Sequence, residues 1–540
     1  MGEAVKAAIV LKPGEDATEE EIMDDCEEDT MIRSVEQYLE SLRDGRVIYC
    51  LGTRVEDVTR HPILRAVVQS TAMDYVFTND ATYHDLFVTQ NEDGEEMHFL
   101  FTPPTSAEAL MRRRDIFLTS CRTGGGVSLH SVGADALAAL GVVAARMDKQ
   151  LGTHYVDRVE AYRQHVQKAD LGLAGAMTDV KGDRSLHPSK QQEHKDYYVR
   201  VVDRQKEGII VRGAKIHISH TAGAHEAIVM PCRAHGEEDA DYAVVFAIPL
   251  NAEGVKLITA EPTIRQTGEE AAWDYPMSAA QGYGGSECMI VFDDVFVPWE
   301  RVFMCGEWQF SRDMVHTFAT FHRLFGTSRM TAEFERLTGA AALIAEYNGL
   351  EKYAHIRDKL AWLAMYTEAV DAISKASCIH CEQEPKSDLV HPNMVYTNTA
   401  KYLFADNYHQ AIKIMEDICG GIAAHVPTYR DWTNPETHPW LEKYLGGKAG
   451  VPTDHRLRAL RLIKDLANVH FRVGGIHGEG SLATQRIFLY AGAAWGKYKS
   501  AAKRAAGIPG WEEDPTYGPL PDYPSCVASK LEPADLSYEL

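Results

Sequence analysis

Basic residues are in deficit: 55 Lys and Arg stand against 78 Asp and Glu, a formal charge of −23. A surface of that sign repels phosphate backbones and anionic bilayers, so neither a nucleic acid nor a membrane is expected as a partner. No run of about 18 apolar residues occurs, which predicts no transmembrane helix. Ten cysteines are scattered over 540 residues. That scatter fits a reducing, cytoplasmic setting better than a disulfide framework. G-x-G-x-x-G after a strand is missing, so a nicotinamide dinucleotide need not bind here. There is no internal repeat. Met1-Gly2 lacks the Ser or Thr that myristoylation needs four residues on, where Lys6 stands. The acidic run EDATEEEIMDDCEED that follows predicts a flexible arm over 1–33 rather than a cleaved leader.

What is present suggests about three domains. Apolar residues make up 45% and charged residues 25%, enough for a large core. Ser34-Val-Glu-Gln37 reads as a capping box. It opens a helical region over 34–171, with ALMRRRDIFLTSC and ADALAALGVVAARMDKQLG on either side of a break at Cys121–Gly126. Over 172–305 the period switches to two: IIVRGAKIHIS, EAIVMPC, YAVVFAIPL, VKLITAE and CMIVFDDVFVPW predict an antiparallel β barrel or sandwich. Four long amphipathic segments over 306–506 predict an up-down bundle, interrupted by a Pro/Trp-rich excursion at 425–454. Residues 507–540 read as a tail.

One stretch suits a ligand. Ala174–Arg184, AGAMTDVKGDR, packs small residues, a Thr, two Asp, a Lys and an Arg between patterned regions. Its backbone N–H groups and cations suit an anionic, planar ligand; a solvated sheet-entry loop is the alternative. Val211–Ser219 alternates, placing Val211, Gly213, Lys215, His217 and Ser219 on one strand face. Cys378 and Cys381 form a C-x-x-C pair without a second pair, and they are read as two helix-end thiols. No metal site is expected.

SVEQYLESLRDGR, VEDVTRHPILR, GAMTDVKGDR, GIIVRGAKIHIS, IVFDDVFVPWERVF, EDICGGI and GIHGEGS occur in order from about residue 34 to 500. Together they resemble the family that holds the 4-hydroxyphenylacetate 3-hydroxylases (oxygenase component) and 4-hydroxybutyryl-CoA dehydratase. The resemblance implies an α+β, acyl-CoA-dehydrogenase-like fold: an N-terminal helical domain, a middle antiparallel β domain and a C-terminal helical bundle. It also implies FAD, a homotetramer, and a neighbouring subunit that helps close the flavin site. Cofactor contacts would come from Met177, Thr178, Asp179, Lys181, Gly182, Asp183, Arg184, His217, Ser219 and Arg323. Asp417, Gly420 and Gly421 match the family's Gly-Gly turn, where a backbone without Cβ can approach the cofactor; a helix C-cap is the other reading.

The departures matter as much. The dehydratase holds a 4Fe–4S cluster on three Cys and one His. His322 matches the His, but the Cys positions fall on Val127, Ser131 and Arg329. The phenol hydroxylases hold the phenolate with an Arg-Ser-Pro-Asp-Tyr type run, which here is Val132-Gly-Ala-Asp-Ala136. Neither relative's substrate set is complete.

His322 is the acid–base candidate, with a core histidine bonded across helices as its alternative. Arg329 shares its helical face and suits an anion. Glu287 matches a family position near substrate and suits a base, or is a strand-edge charge. His130 either fills the missing phenolate-binding space or caps a helix. His477 sits in a Gly-rich turn read as structural. The leading expectation is the oxygenase component of a two-component monooxygenase. It would take FADH2 from a separate flavin reductase and hydroxylate a small, aromatic substrate. The alternatives are a cluster-less acyl-CoA-type flavoenzyme (dehydratase, isomerase or dehydrogenase) and a non-catalytic flavin-binding protein.

Overall fold

The computed structural model describes residues 31–123, 128–260, 287–385, 388–467, 469–512 and 514–516. Residues 1–486 form one compact unit and 487–540 a second. Most of the expected arm, Gly124–Gly126 of the expected break and most of the tail lie outside the described residues. The last residues of the arm are packed rather than free: Met31 and Ile32 are buried, and Arg33 N donates to Asp170 Oδ2 at 3.0 Å.

The first helices are α1 (Val35–Ser41), α2 (Leu64–Asn79), α3 (His84–Phe87), α4 (Ala107–Thr123), α5 (Leu129–Leu151) and α6 (Tyr155–Lys168). Ser34 starts α1 through the capping box: its hydroxyl accepts from Gln37 N while Gln37 Oε1 accepts from Ser34 N. By length and composition α5 is apolar enough to cross a membrane, but 83% of its apolar window is buried within the protein, where it serves as a core helix.

This N-terminal region is not all helix. It contributes β1 (Ile48–Cys50) and β2 (Thr53–Val55), and a hairpin of β3 (Val88–Gln90) and β4 (Glu96–His98). The other strands of the two main sheets are β5 (Leu173–Ala176), β6 (Arg200–Arg204), β7 (Gly208–Ile218), β8 (Glu226–Val229), β9 (Val244–Pro249), β10 (Val255–Thr259), β11 (Cys288–Pro298) and β12 (Val302–Cys305), and a short hairpin, β13 (Glu382–Gln383) with β14 (Val390–His391), lies in the C-terminal region. One sheet runs β2-β1-β10-β11-β7-β6 and the other β12-β9-β8-β5. Pairing is antiparallel except for β1 with β10 and β5 with β8. Val211, Ile290, Phe292 and Val295 of the larger sheet share a core with Ala227, Val229, Phe246 and Ile248 of the smaller, as in a sandwich.

The C-terminal bundle is α7 (Ser311–Tyr347), α8 (Ala354–Ile379), α9 (Met394–Cys419) and, after two short helices in the excursion, α10 (Tyr429–Thr433) and α11 (His438–Tyr444), the fourth long element α12 (Thr453–Leu466). Its core joins Leu337 and Ile344 to Leu363, Val370, Phe404, Ile412, Leu457 and Leu460. Beyond lie α13 (Val469–His477), α14 (Leu482–Gly492) and α15 (Trp495–Ala505).

Candidate active site

The expected ligand loop leaves β5 at Ala176 and is fastened to β7. Lys215 Nζ donates to Met177 O at 2.9 Å and Met230 O at 2.7 Å, and pairs with Asp179 Oδ1 at 2.8 Å. Thr178 O accepts from Ile216 N at 2.8 Å. Asp179 also accepts from Val199 N at 3.0 Å. Asp179 and Lys215 are therefore a buried staple, and the Asp179 carboxylate is already committed.

Past the staple the loop reaches solvent. Lys181 (φ 81°) and Gly182 (φ 52°) turn left-handed, and a Cβ on Gly182 would lie 2.2 Å from the Tyr197 ring, so only glycine fits. Asp183 closes its own turn, accepting from Ser185 N and Oγ. His217 ends the alternation of β7. Val211, Gly213 and Lys215 are buried, but a register slip opposite Cys288–Ile290 and a φ of 60° expose His217 and bury Ile218. Partial desolvation of the ring, and then the nearby charges of Lys181 and Arg184, hold the His217 imidazole below its usual range. Neither Lys181 nor Arg184 has a carboxylate partner among the described residues. Two residues on, Ser219 Oγ donates to Glu287 Oε1 at 2.8 Å. Glu287 Oε2 is buried with no hydrogen-bond partner among the described residues, and burial raises its pKa.

A second group is built on α7. His322, Arg323, Gly326, Arg329 and Glu333 share neighbouring turns of this one helix. The His322 ring lies parallel to Phe318 (5.1 Å, 19°) and Phe325 (5.5 Å, 14°). Its Nδ1–H donates to Asp135 Oδ2 at 3.2 Å, which fixes the tautomer and leaves Nε2 uncommitted among the described residues. Glu479, held left-handed (φ 54°) between Gly478 and Gly480, enters from the turn after α13. Its carbonyl accepts from Arg323 Nε at 3.2 Å, and its carboxylate lies 3.5 Å from Arg329 Nη2 and 3.8 Å from Lys401 Nζ. Against the cost of burial, Arg329, Lys401 and His322 hold the Glu479 carboxyl below its ordinary range. Arg329 also meets Glu333 at 3.5 Å, and Tyr408 donates to Glu333 at 2.5 Å. Arg329 contributes to the field at Glu287 as well, which relates this group to the Ser219–Glu287 pair of the β region.

The chain thus brings together His322, Arg323 and Arg329, with Glu287 within electrostatic range, and separately gathers Lys181, Arg184 and His217. His130 joins neither group. It is 1% exposed, with Nδ1 at 3.1 Å from Asp74 and Nε2 at 2.8 Å from Asp170, and its ring stacks on His98 at 4.6 Å. It is held in the core between two carboxylates, and Ser128 rather than His130 caps α5. Asp417 is exposed and paired with Lys359, and Gly420 (φ 75°) caps α9. No heavy atom lies within 4 Å of a Cβ placed on Gly420 or Gly421. These residues follow Lys401 by 16 or more positions along the helix, about 24 Å at 1.5 Å per residue, so this chain does not carry them to the α7 group.

Asp135, Glu333, Lys401 and Glu479 escaped the sequence reading. Asp135 was legible as the one acid before Arg146 in the apolar text of α5, and Glu479 as the one acid within GIHGEGS. Cys378 lies in the last turn of α8 with its thiol at 3.7 Å from Leu110 O, and Cys381 follows the helix. Among the described residues no group of three or more His, Cys, Asp or Glu has the arrangement of a metal site.

Comparison with known proteins matches this geometry to a family. Residues 34–304 fit the model for the 4-hydroxyphenylacetate 3-hydroxylase N terminal part, and 311–507 the model for its C terminal part. The 4-hydroxybutyryl-CoA dehydratase/vinylacetyl-CoA-Δ-isomerase of Clostridium aminobutyricum is 31% identical over 500 residues, 88% of this chain and 100% of that one. The 4-hydroxyphenylacetate 3-monooxygenase oxygenase component of Thermus thermophilus is 28% identical, over 81% of this chain and 88% of that one. Among solved structures, an oxygen-tolerant archaeal 4-hydroxybutyryl-CoA dehydratase from N. maritimus superposes with a TM-score of 0.82 at 32% identity, covering 92% of this chain and 99% of that one. An FAD complex of a 4-hydroxyphenylacetate 3-monooxygenase oxygenase component gives 0.79 at 25% identity, covering 88% and 98%. The chain belongs to the 4-hydroxyphenylacetate 3-hydroxylase family and has its acyl-CoA-dehydrogenase-like fold.

Proposed function

We propose that the protein is an FAD-dependent oxidoreductase acting as the oxygenase component of a two-component monooxygenase. It hydroxylates a small, aromatic substrate with FADH2 from a separate reductase. The observation that carries this reading is His322: a tautomer-fixed imidazole between two phenyl rings, beside the buried cation Arg329. An iron–sulfur cluster does not fit the donors here. Ser131 and Arg329 stand at two expected Cys positions, Val127 at the third lies outside the described residues, and burial pushes the nearby Cys121 thiol up to about 12.

FAD does fit. Lys181 and Arg184, without carboxylate partners among the described residues, converge with His217 beside the left-handed Gly182 turn, which suits a pyrophosphate. Thr178, Lys181, Gly182, Arg184, His217 and Ser219 would hold the cofactor. When bound, reduced FAD supplies the electrons for oxygen activation. The protein's own part is positional. Phe318 and Phe325 keep water from the imidazole faces, Asp135 orients the ring, and His322 Nε2 holds or accepts the proton of a substrate hydroxyl. Arg329 stabilises negative charge developing at that oxygen. The bare Gly420-Gly421 turn is offered to a neighbouring subunit of a homotetramer.

A second reading, a cluster-less acyl-CoA-type flavoenzyme, draws on Glu287, whose uncommitted Oε2 and raised pKa suit a base that removes a carbon-bound proton. The test mixes anaerobically reduced protein–FAD with ¹⁸O₂ and a panel of phenols, and follows label by mass spectrometry. We expect one labelled oxygen in product, and His322→Ala to keep FAD but lose turnover. Conversion of an acyl-CoA without oxygen, and no label in any phenol, would overturn the oxygenase reading.

A further inference from the structure

We propose that Lys401 is a positioning residue of the α7 site: its ammonium ties the carbonyls that end α13 to the Glu479 carboxylate, and so sets the charge felt by His322. The clause about His322 rests on the functional reading above; the geometry of Lys401 does not.

Lys401 lies on α9, fully buried in the bundle. Its Nζ donates to Gly475 O at 3.3 Å and Ile476 O at 3.4 Å, and lies 3.8 Å from Glu479 Oε2 and 4.2 Å from the Phe404 ring. The last carbonyls of a helix lack intrahelical partners and carry its negative end, so a cation is well placed there. Those contacts clamp the short segment that holds Glu479 left-handed. Gly475 permits the approach, because a Cβ there would lie 2.7 Å from the Tyr408 ring of α9.

A structural filler does not explain the choice. Replacing a whole buried ion pair by apolar side chains of similar volume is often neutral or stabilising, so packing alone does not call for a Lys401–Glu479 pair here. Among the described residues, the charged groups facing Lys401 are Glu479 from the turn and Arg323 and Arg329 from α7, with Glu333 beyond Arg329 and Tyr408. Burial, with help from Arg329 and Arg323 and against Glu479, brings its pKa down to about 7. Below that pH the ammonium offsets Glu479; above it, Glu479 acts on His322 with less compensation. Lys401 is thus a charge control within the range where an imidazole works.

The experiment is a histidine titration of the full chain without flavin, labelled with ¹³C at histidine Cε1 and read by NMR, with His322→Gln to assign the signal. Lys401→Met should move the His322 midpoint upward, and Lys401→Arg should restore it. Glu479→Gln should move it downward, which keeps the proposal testable if Lys401→Met fails to fold. An unmoved midpoint in folded Lys401→Met, or in Glu479→Gln, overturns the proposal. Because no cofactor or turnover is involved, its failure is distinguishable from failure of the oxygenase reading, which shows in the ¹⁸O₂ assay.

Discussion

Gly326→Ala is the sharpest test of how the site is assembled. A Cβ at this position would lie 2.5 Å from Glu479 Cδ and 2.7 Å from its Cγ and Oε2. Ordinary carbon contacts fall near 3.5–4.0 Å, so the Glu479 carboxylate must retreat by about 1 Å. Its pairs with Arg329 and Lys401 are already 3.5 and 3.8 Å long, and that retreat breaks them. Breaking a buried pair costs about 3–5 kcal/mol, while alanine restores about 1 kcal/mol of helix propensity, which leaves a net loss of ~2–4 kcal/mol. The assay is a four-protein cycle of melting curves: wild type, Gly326→Ala, Glu479→Ala and the double variant. With Glu479 cut back, the three atoms that crowd the added methyl are gone and alanine should stabilise. The expected signature is therefore a change of sign between backgrounds. If Gly326→Ala raises the melting temperature equally in both, the carboxylate is not lodged against α7 and the reasoning fails.

Two further expectations follow from charges. Replacing Lys181 and Arg184 together by alanine should weaken FAD binding at least ~10-fold, since each charge-assisted contact is worth about 1.5–3 kcal/mol; flavin fluorescence titration reads the change. His130 predicts an alkaline loss of stability. Burial disfavours its charged form, but Asp170 and Asp74 outweigh that and raise its pKa to about 9. The resulting stabilisation, about 3 kcal/mol, is fully present below pH ~6.5 and is lost as pH rises through about 9. Melting temperature should fall across that window in the wild type, and the fall should be smaller in His130→Gln.

Local signals in the sequence were read where the structure keeps them local. The Ser34 capping box needs only four residues, and His322 and Arg329 share a helix face because a continuous helix puts them there. The period change into β7 and out through β11 marks the sandwich for the same reason. Long-range consequences were hidden. Strict alternation placed Lys215 beside His217, but the bulge opposite Cys288–Ile290 sends one inward and the other outward. Asp179, read as a cofactor contact, is instead closed by Lys215 and Val199 N from distant strands. Glu479 and Lys401 lie 78 positions apart, and no periodicity relates them. His130 was ambiguous in sequence because its partners Asp74 and Asp170 lie 56 and 40 residues away.

The 37 residues of α7 belong to two interiors at once. Met314, Phe318, Phe321 and Phe325 pack with the N-terminal helices and the smaller sheet, whereas Leu337, Ala341 and Ile344 pack within the bundle. The handover falls at Met330 and Ala332, inside the stretch that carries Arg329 and Glu333. Such a shared element couples melting of one interior to exposure of the other, so the two resist unfolding as a single cooperative body. The charged groups sit at the junction where that cooperativity is transmitted. The placement of Arg329 and Glu333 thus depends on both interiors and not only on the residues that line the site.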